Sequence, residues 1–205
     1  MLLLLPALTW AESLPLPIGQ AQTLPGPYMH VWEDPDGQAD FMDVSALPDS
    51  AWQVVARRDA SFGYSGSTYW LRLDVHNPHN RSLGWVLLIG NPLLDQLDAY
   101  GLDGKRIYRA GDQRPFDWRW VAHRQLVLPL DLESGEQQRI WLRMQTDGSA
   151  NLSASLMTRE AFDLQEQRSL LLQGLFFGAL IAMLINNQSI FCITRDLNYL
   201  WYSLF

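Results

Sequence analysis

Cysteine is almost absent from this sequence, with Cys192 as the single example among 205 residues. One thiol excludes an intramolecular disulfide and any metal site built from several cysteines. Basic clusters are also missing, apart from the pair Arg57 and Arg58, and the formal net charge is −7 with a pI near 4.9. Nucleic acid is therefore not an expected partner.

Catalytic and metal-binding motifs are also lacking. The histidines show no compact metal-ligand spacing, and no phosphate-binding glycine motif is present. Residues 63–67 approach a nucleophile elbow, but Ser67 stands where the final glycine belongs. An enzyme acting on cell-wall sugar would need paired carboxylates across a cleft, and nothing in the spacing places Asp112 and Asp117 suitably. We therefore expect neither enzymatic activity nor a cofactor.

An acidic segment near the N-terminus has two interpretations. Asp34, Asp36 and Asp40 with Gly37 resemble part of a calcium loop, yet the spacing and terminal glutamate of an EF-hand are absent. A hairpin turn is the simpler interpretation, and no metal site is predicted.

Apolar residues are abundant. Hydrophobic residues make up 48% of the chain and aromatic residues 12%, with nine tryptophans. This composition can form a real core, and the length suits one domain with flanking segments.

The N-terminus has the features of a secretory signal. Residues 2–8 are apolar, and Thr9 and Ala11 occupy the −3 and −1 positions of a cleavage site before Glu12. We assign residues 1–11 to the remnant of a signal peptide and residues 12–27 to a proline-rich linker. The alternative is a disordered apolar N-terminus.

The middle of the chain, residues 28–157, predicts a β-sandwich. Residues 68–76 and 138–145 alternate between apolar and polar side chains, as in strands with one buried and one wet face. Residues 31–41 read as a strand, a turn and the start of a second strand. Further β-prone runs at 85–89, 95–100 and 125–130 are separated by turn-forming dipeptides. Such regular short strands are typical of a sandwich or jelly roll.

The C-terminal part predicts a membrane span. Thr158 can cap a connecting helix over residues 158–169, which continues without Gly or Pro into an almost wholly apolar segment, residues 170–193. A buried amphipathic helix is the alternative. Gly174, Gly178 and Ala182 recur at every fourth residue, a pattern that lets a second helix approach closely in lipid. Residues 194–205 begin a second apolar run, so we expect the chain to be a fragment of a longer polypeptide.

Several motifs occur in an order that resembles a known family. They are residues 62–72 (FGYSGSTYWLR), 91–95 (NPLLD), 111–116 (GDQRPF), 140–143 (IWLR), 173–178 (QGLFFG) and 195–200 (RDLNYL). Together they resemble the type 2 extracellular domain of bacterial seven-transmembrane receptors with diverse intracellular signalling modules. The resemblance implies a jelly-roll periplasmic domain similar to carbohydrate-binding modules, followed by seven membrane helices and an output such as a histidine kinase of a two-component system or a diguanylate cyclase.

The best candidate ligand site lies between two predicted strands. Planar rings and hydrogen-bond donors are concentrated there, as needed to stack on a sugar or to bind an anionic ligand. The residues concerned are Arg114, Trp118, Arg119, Trp120, His123 and Arg124. In the alternative, the tryptophans pack on the sandwich and the arginines pair with Asp112 or Asp117.

A second candidate site lies on the outward faces of two predicted strands. Trp70 and Arg72 belong to one strand, and Trp141 and Arg143 belong to the other. If the strands are neighbours, these side chains form an aromatic and basic patch, although cross-strand packing alone also accounts for them.

These observations predict a periplasmic ligand-sensing domain of a bacterial inner-membrane receptor. A carbohydrate or similar small molecule would bind the sandwich, and the C-terminal helix would carry the change to the membrane. The alternative is an interaction module that pairs with a second copy or with another receptor and takes no small ligand.

Overall fold

The computed structural model describes residues 13–18, 20–55, 59–195 and 198. The predicted signal segment, residues 1–11, lies outside the described residues. Twelve strands are described: β1 Leu14–Pro15, β2 Gln22–Thr23, β3 Met29–Asp34, β4 Gln53–Val54, β5 Asp59–Tyr64, β6 Thr68–His76, β7 Leu83–Ile89, β8 Gln96–Tyr100, β9 Arg106–Ala110, β10 Leu126–Leu132, β11 Gln137–Gln145 and β12 Ser149–Thr158.

These strands form two sheets. A seven-stranded sheet has the order β4-β3-β6-β11-β8-β9, with β1 parallel to β6, and a five-stranded sheet has the order β10-β7-β12-β2, with β5 on β12. From β5 to β8, and again from β9 to β12, consecutive strands alternate between the two sheets. The main core contains buried apolar side chains from both sheets, so the predicted β-sandwich is confirmed.

The alternation in β6 has the predicted period but a different environment. Tyr69, Leu71, Leu73 and Val75 face the main core and are at most 5% exposed. The opposite face was expected to be wet, and this expectation is wrong because Trp70, Arg72 and Asp74 are also buried. A second, smaller apolar cluster covers part of that outer face.

The residues that cover the outer face form a short cap, which we define as residues 40–52. The cap contains α1, Phe41–Ser45, and a 3-10 turn, Asp49–Ala51. Asp40 caps α1 by accepting hydrogen bonds from the Met42 and Asp43 amides at 2.7 and 3.0 Å, and Asp43 accepts one from the Asp40 amide. This capping box replaces the strand entry expected near residue 41.

The turn before the cap is organised by a carboxylate. Asp34 accepts hydrogen bonds from the Gly37 and Ala39 amides at 3.1 and 2.9 Å. Its oxygens therefore stabilise a turn and not a calcium loop. The turn leads into α1, however, so the hairpin expected here is wrong.

The proline-rich segment is not a free linker. Leu14 and Pro15 pair with β6, Leu16 is fully buried, and β2 pairs with β12. The expectation of a linker over residues 12–27 is therefore wrong for these strands, because Leu14 and Leu16 join the main core and β2 forms an edge of the five-stranded sheet.

The C-terminal helix α2, Arg159–Thr194, follows β12 directly. The described chain divides into two compact units between Arg159 and Glu160. The most apolar window of α2 has a mean hydropathy of 1.9 and no buried residue, so its length and composition allow it to span a membrane. At about 1.5 Å per residue, α2 is longer than the roughly 30 Å hydrocarbon layer.

Candidate functional site

The outer face of the seven-stranded sheet carries a row of aromatic and charged residues in one register. Trp32 lies opposite Trp70, which pairs with Arg143, and Arg143 pairs with Asp98, which pairs with Arg109. Side chains at paired positions share a face. The register therefore joins two of the predicted ligand residues, Trp70 and Arg143, to Asp98, which the sequence analysis did not identify.

A second row runs beside the first. It consists of His30, Arg72, Trp141, Tyr100 and Arg106. Arg72 is 3% exposed and lies 5.0 Å from the ring of Trp52 in the cap and 5.9 Å from that of Trp141. Its Nη1 donates to Asp49 Oδ1 at 2.8 Å. Arg72 and Trp141 therefore bind the cap and are not accessible to a ligand.

An open groove of about 490 Å³ remains beside the cap. One wall is the segment 37–42, and the other is the turn between β8 and β9, with Asp103 and Gly104, together with the first residue of β9, Arg106. The lining is completed by Trp70, Asp98, Tyr100 and Arg143. Phe41 stacks on Tyr100 with ring centroids 5.5 Å apart. This volume suits a small molecule of the size of one or two sugar rings.

Asp98 links the groove to the loop between β9 and β10. Arg114 contacts both oxygens of this buried carboxylate, through Nη1 to Oδ1 and through Nη2 to Oδ2 at 3.1 Å, and also donates to Gln96. Arg109 Nε lies 3.9 Å from Asp98 Oδ1. Bidentate pairs of this kind fix geometry as well as charge. Arg114 therefore anchors the loop and does not pair with Asp112 or Asp117.

The same loop presents three rings to solvent. Phe116, Trp118 and Trp120 are 50%, 45% and 60% exposed. Arg109 lies over Trp118 at 4.4 Å and Arg119 over Phe116 at 4.8 Å, so cations hold two of these rings. We call these three rings the aromatic ridge.

The remaining predicted loop residues support the ridge. Arg119 Nη1 donates to the carbonyl oxygens of His123 and Arg124 at 2.8 and 3.4 Å, and His123 Nδ1 accepts from the Gln125 amide. Trp120 meets Tyr108 edge to face at 6.1 Å. Burial raises the pKa of Tyr108, against the opposing effect of the Arg119 charge.

The predicted membrane-packing residues lie on α2. A Cβ atom added at Gly174 or Gly178 would meet nothing within 4 Å, and Ala182 is exposed. This face has no packing partner among the described residues, and its role in helix packing stays a prediction.

In the structure, Asp98 and Arg109 connect the two predicted ligand sets. Trp70 and Arg143 line the groove, while Trp118 and Trp120 form the ridge that Arg109 connects to Asp98. The groove also contains four residues that were not predicted from the sequence, namely Phe41, Asp98, Tyr100 and Arg106. A charged residue in the middle of an apolar strand, Asp98, was the one available signal.

Two solved structures illustrate the range of similar proteins. A C-terminal CBM6 of LamC, a marine laminarinase from Zobellia galactanivorans, aligns at 9% identity with a TM-score of 0.27, covering 50% of this chain and 90% of that one. The GH31 alpha-xylosidase Xac1773 from Xanthomonas citri aligns at 13% identity with a TM-score of 0.27, covering 64% and 15%. Among curated proteins, none matches this sequence.

Family models account for most of the chain. Residues 169–205 match the model described as 7TM diverse intracellular signalling, which agrees with the apolar helix α2. Residues 26–158, which include β3 to β12, match 7TMR-DISM extracellular 2, and the chain therefore belongs to this family of extracellular, sensor-like domains of seven-transmembrane receptors.

Proposed function

We propose that this chain is the ligand-sensing front end of a bacterial inner-membrane receptor, with its sandwich in the periplasm. A carbohydrate or similar small molecule would bind in the groove beside the cap. The observation that carries the proposal is the groove itself, because aromatic side chains and charged hydrogen-bonding groups line one cavity of suitable volume.

The direct passage from β12 into α2 supports a relay. Thr158 ends the strand and Arg159 begins a helix long enough to cross the bilayer. A ligand that binds one state of the sandwich more tightly would shift the equilibrium of the helix, and a ligand with equal affinities would not. The expected output of the receptor is a histidine kinase or a diguanylate cyclase.

A groove-blocking variant tests the proposal. Met42 lines the groove but is 73% exposed, so Met42→Trp adds bulk to the wall without disturbing the core. Calorimetric titration of the full chain in nanodiscs with a panel of neutral and acidic oligosaccharides should give saturable binding that Met42→Trp abolishes and Met42→Leu keeps. If no member of the panel binds the wild type, or if Met42→Trp binds normally, this proposal is wrong.

A second candidate function is an interaction module, and the exposed aromatic ridge favours it. Exposed Trp and Phe rings beside arginines are typical of residues that dominate protein interfaces. Sedimentation of the full chain in detergent should then show self-association that Trp118→Ser with Trp120→Ser removes and Met42→Trp preserves. Loss of sugar binding in the double variant, with no self-association in the wild type, would instead assign the ridge to the ligand site.

A further inference from the structure

Most carboxylate oxygens of the groove are already paired. Asp98 is held by Arg114, Asp40 accepts the two amides of α1, and Asp103 accepts from Lys105, with Nζ 3.1 Å from Oδ2. The Lys105 hydrogen bond lowers the pKa of Asp103, so that carboxylate stays ionised and paired. Both α1 amides bind Oδ1 of Asp40, so Asp40 Oδ2 is the one oxygen of these three carboxylates without a hydrogen-bond partner within the described residues. The groove therefore offers few free acceptors to the hydroxyl groups of a ligand.

The donors of the groove are not occupied to the same degree. Within the described residues, half-buried Arg143 donates to Gly37 O at 3.5 Å and to Gln145 Oε1 at 3.3 Å, which are long contacts. The Arg106 guanidinium lies 5.4 Å from the Tyr100 ring centre. In the described part of the chain, neither arginine has a carboxylate within 4 Å. Two guanidinium groups are thus available at the groove.

Trp70 borders the groove but adds no donor that a ligand can reach. It is fully buried, and its Nε1–H has no exposed surface. A ligand in the groove therefore meets the two guanidinium groups and not this N–H. The groove is therefore rich in donors and poor in acceptors.

Resting on the proposed ligand-sensing function, we infer that the groove selects a carboxylate-bearing sugar, a uronic acid unit, over its neutral counterpart. A carboxylate presents two coplanar oxygens that match the fork of a guanidinium, and such charge-assisted hydrogen bonds are stronger than neutral ones. Arg143 binds the carboxylate, and Arg106, at the start of β9, supplies a second guanidinium from the wall of the groove. The chain is acidic overall, so this local excess of donors is a property of the groove and not of the whole surface.

Esterification provides a matched pair of ligands, because it removes the charge and keeps the sugar. Oligomers of galacturonate, glucuronate and mannuronate and their methyl esters are titrated into the full chain in nanodiscs. We expect at least one acid to bind about tenfold or more tightly than its ester, the factor expected from one charge-assisted pair. Equal affinity for acid and ester in all three pairs overturns the inference. The proposed ligand-sensing function still holds in that case if Met42→Trp abolishes the binding of both acid and ester.

Side-chain variants identify the residues that give the preference for the acid over its ester. Arg143→Gln should reduce the acid-to-ester preference at least about tenfold, while Arg81→Gln should not change it, since Arg81 is an exposed cation between β6 and β7 that does not line the groove. Circular dichroism checks that Arg143→Gln is folded, and Arg106→Gln supplies a second variant on a more exposed side chain. A preference unchanged in both arginine variants overturns the inference. Tighter binding of sugar phosphates than of all three uronates would reassign the two arginines to a phosphate and overturn the carboxylate assignment.

Discussion

Among single residues, Gly111 has the strongest backbone requirement in the described chain. Its φ is +142°, and a Cβ atom there would overlap the carbonyl group of Asp95 and lie 2.9 Å from Gln96 Cα. The close approach lets the Asp112 amide donate to Leu94 O at 2.8 Å and the Gln113 amide to Asp95 O at 3.2 Å. Gly111 thereby directs the chain toward Arg114, which anchors the loop on Asp98.

Gly111→Ala should therefore destabilise the sandwich by about 3 kcal/mol, because both the φ angle and the contact with Asp95 become unfavourable. Gly135 is the matched control, since it also has a positive φ, +71°, but has open space around its Cα. Gly135→Ala should cost only about 1 kcal/mol. Urea unfolding followed by tryptophan fluorescence measures both, and equal losses would refute the steric argument.

His30 gives the sandwich a specific pH dependence. Burial lowers the pKa of His30 below its ordinary value of 6.5, and the Arg72 charge lowers it further, although Asp74 and Asp49 oppose this effect. The folded state thus keeps the imidazole neutral at pH values where the unfolded chain binds a proton. The stability from His30 is fully present above pH 6.5 and is lost as the pH falls toward the lowered pKa.

The thermal midpoint of the wild type should therefore decrease as the pH is lowered from about 7.5 to about 5. The decrease should be smaller in His30→Gln, which cannot titrate. The comparison of the two slopes isolates His30, because the carboxylates titrate in both proteins. Parallel slopes over this range would show that His30 does not carry the effect.

At the scale of elements, the sequence predicts some strands accurately for a physical reason. The run that became β6 was predicted with the bounds it has, Thr68–His76, because its inner side chains alternate without interruption. β12 was missed although Ala150, Leu152, Ala154 and Leu156 alternate, since small and polar residues between them give a weak pattern. Whether such a strand can be predicted therefore depends on how clear its local alternation is, and not on contacts that are distant in sequence.

The cap is an element whose effect could not be predicted in this way. Burial of Trp70 and Arg72 depends on residues 40–52, which are about 20 to 30 positions away in sequence. The alternation within β6 alone therefore predicted, wrongly, that the outer face of this strand is exposed to solvent. Only Trp70 and Arg143 of the predicted strand residues line the groove. The candidate site was thus predicted in its residue types but not in its accessibility.

Trp52 should be the main attachment of the cap. It is 6% exposed, meets Trp141 at 5.3 Å between ring centroids and lies against the Arg72 guanidinium. Trp52→Ala should cost about 3–5 kcal/mol, because it leaves a cavity and removes the ring that covers a buried cation. Trp118→Ala, at a ring that is 45% exposed, should cost less than about 1 kcal/mol. Urea unfolding compares them, and similar losses would argue against a tightly attached cap.

For the whole molecule, family membership and the apolar helix together define a topology. The sandwich belongs to an extracellular family, and α2 could cross the membrane immediately after β12. The chain therefore places its sensor-like domain outside the cytoplasm. With about 20 residues needed to cross the bilayer, some of the 36 residues of α2 extend beyond the hydrocarbon layer.

Thiol labelling tests this topology in cells, because the sequence contains a single cysteine that lies within α2. Asn80 lies in the exposed turn between β6 and β7, so Asn80→Cys in a Cys192→Ser background places one thiol on the sandwich. A membrane-impermeant maleimide should label Asn80→Cys in intact spheroplasts, whereas Cys192 of the wild type should react only after detergent solubilises the membrane. Labelling of Cys192 in intact spheroplasts would place that end of α2 outside. Protection of Asn80→Cys until lysis would place the sandwich in the cytoplasm. Either result contradicts the topology.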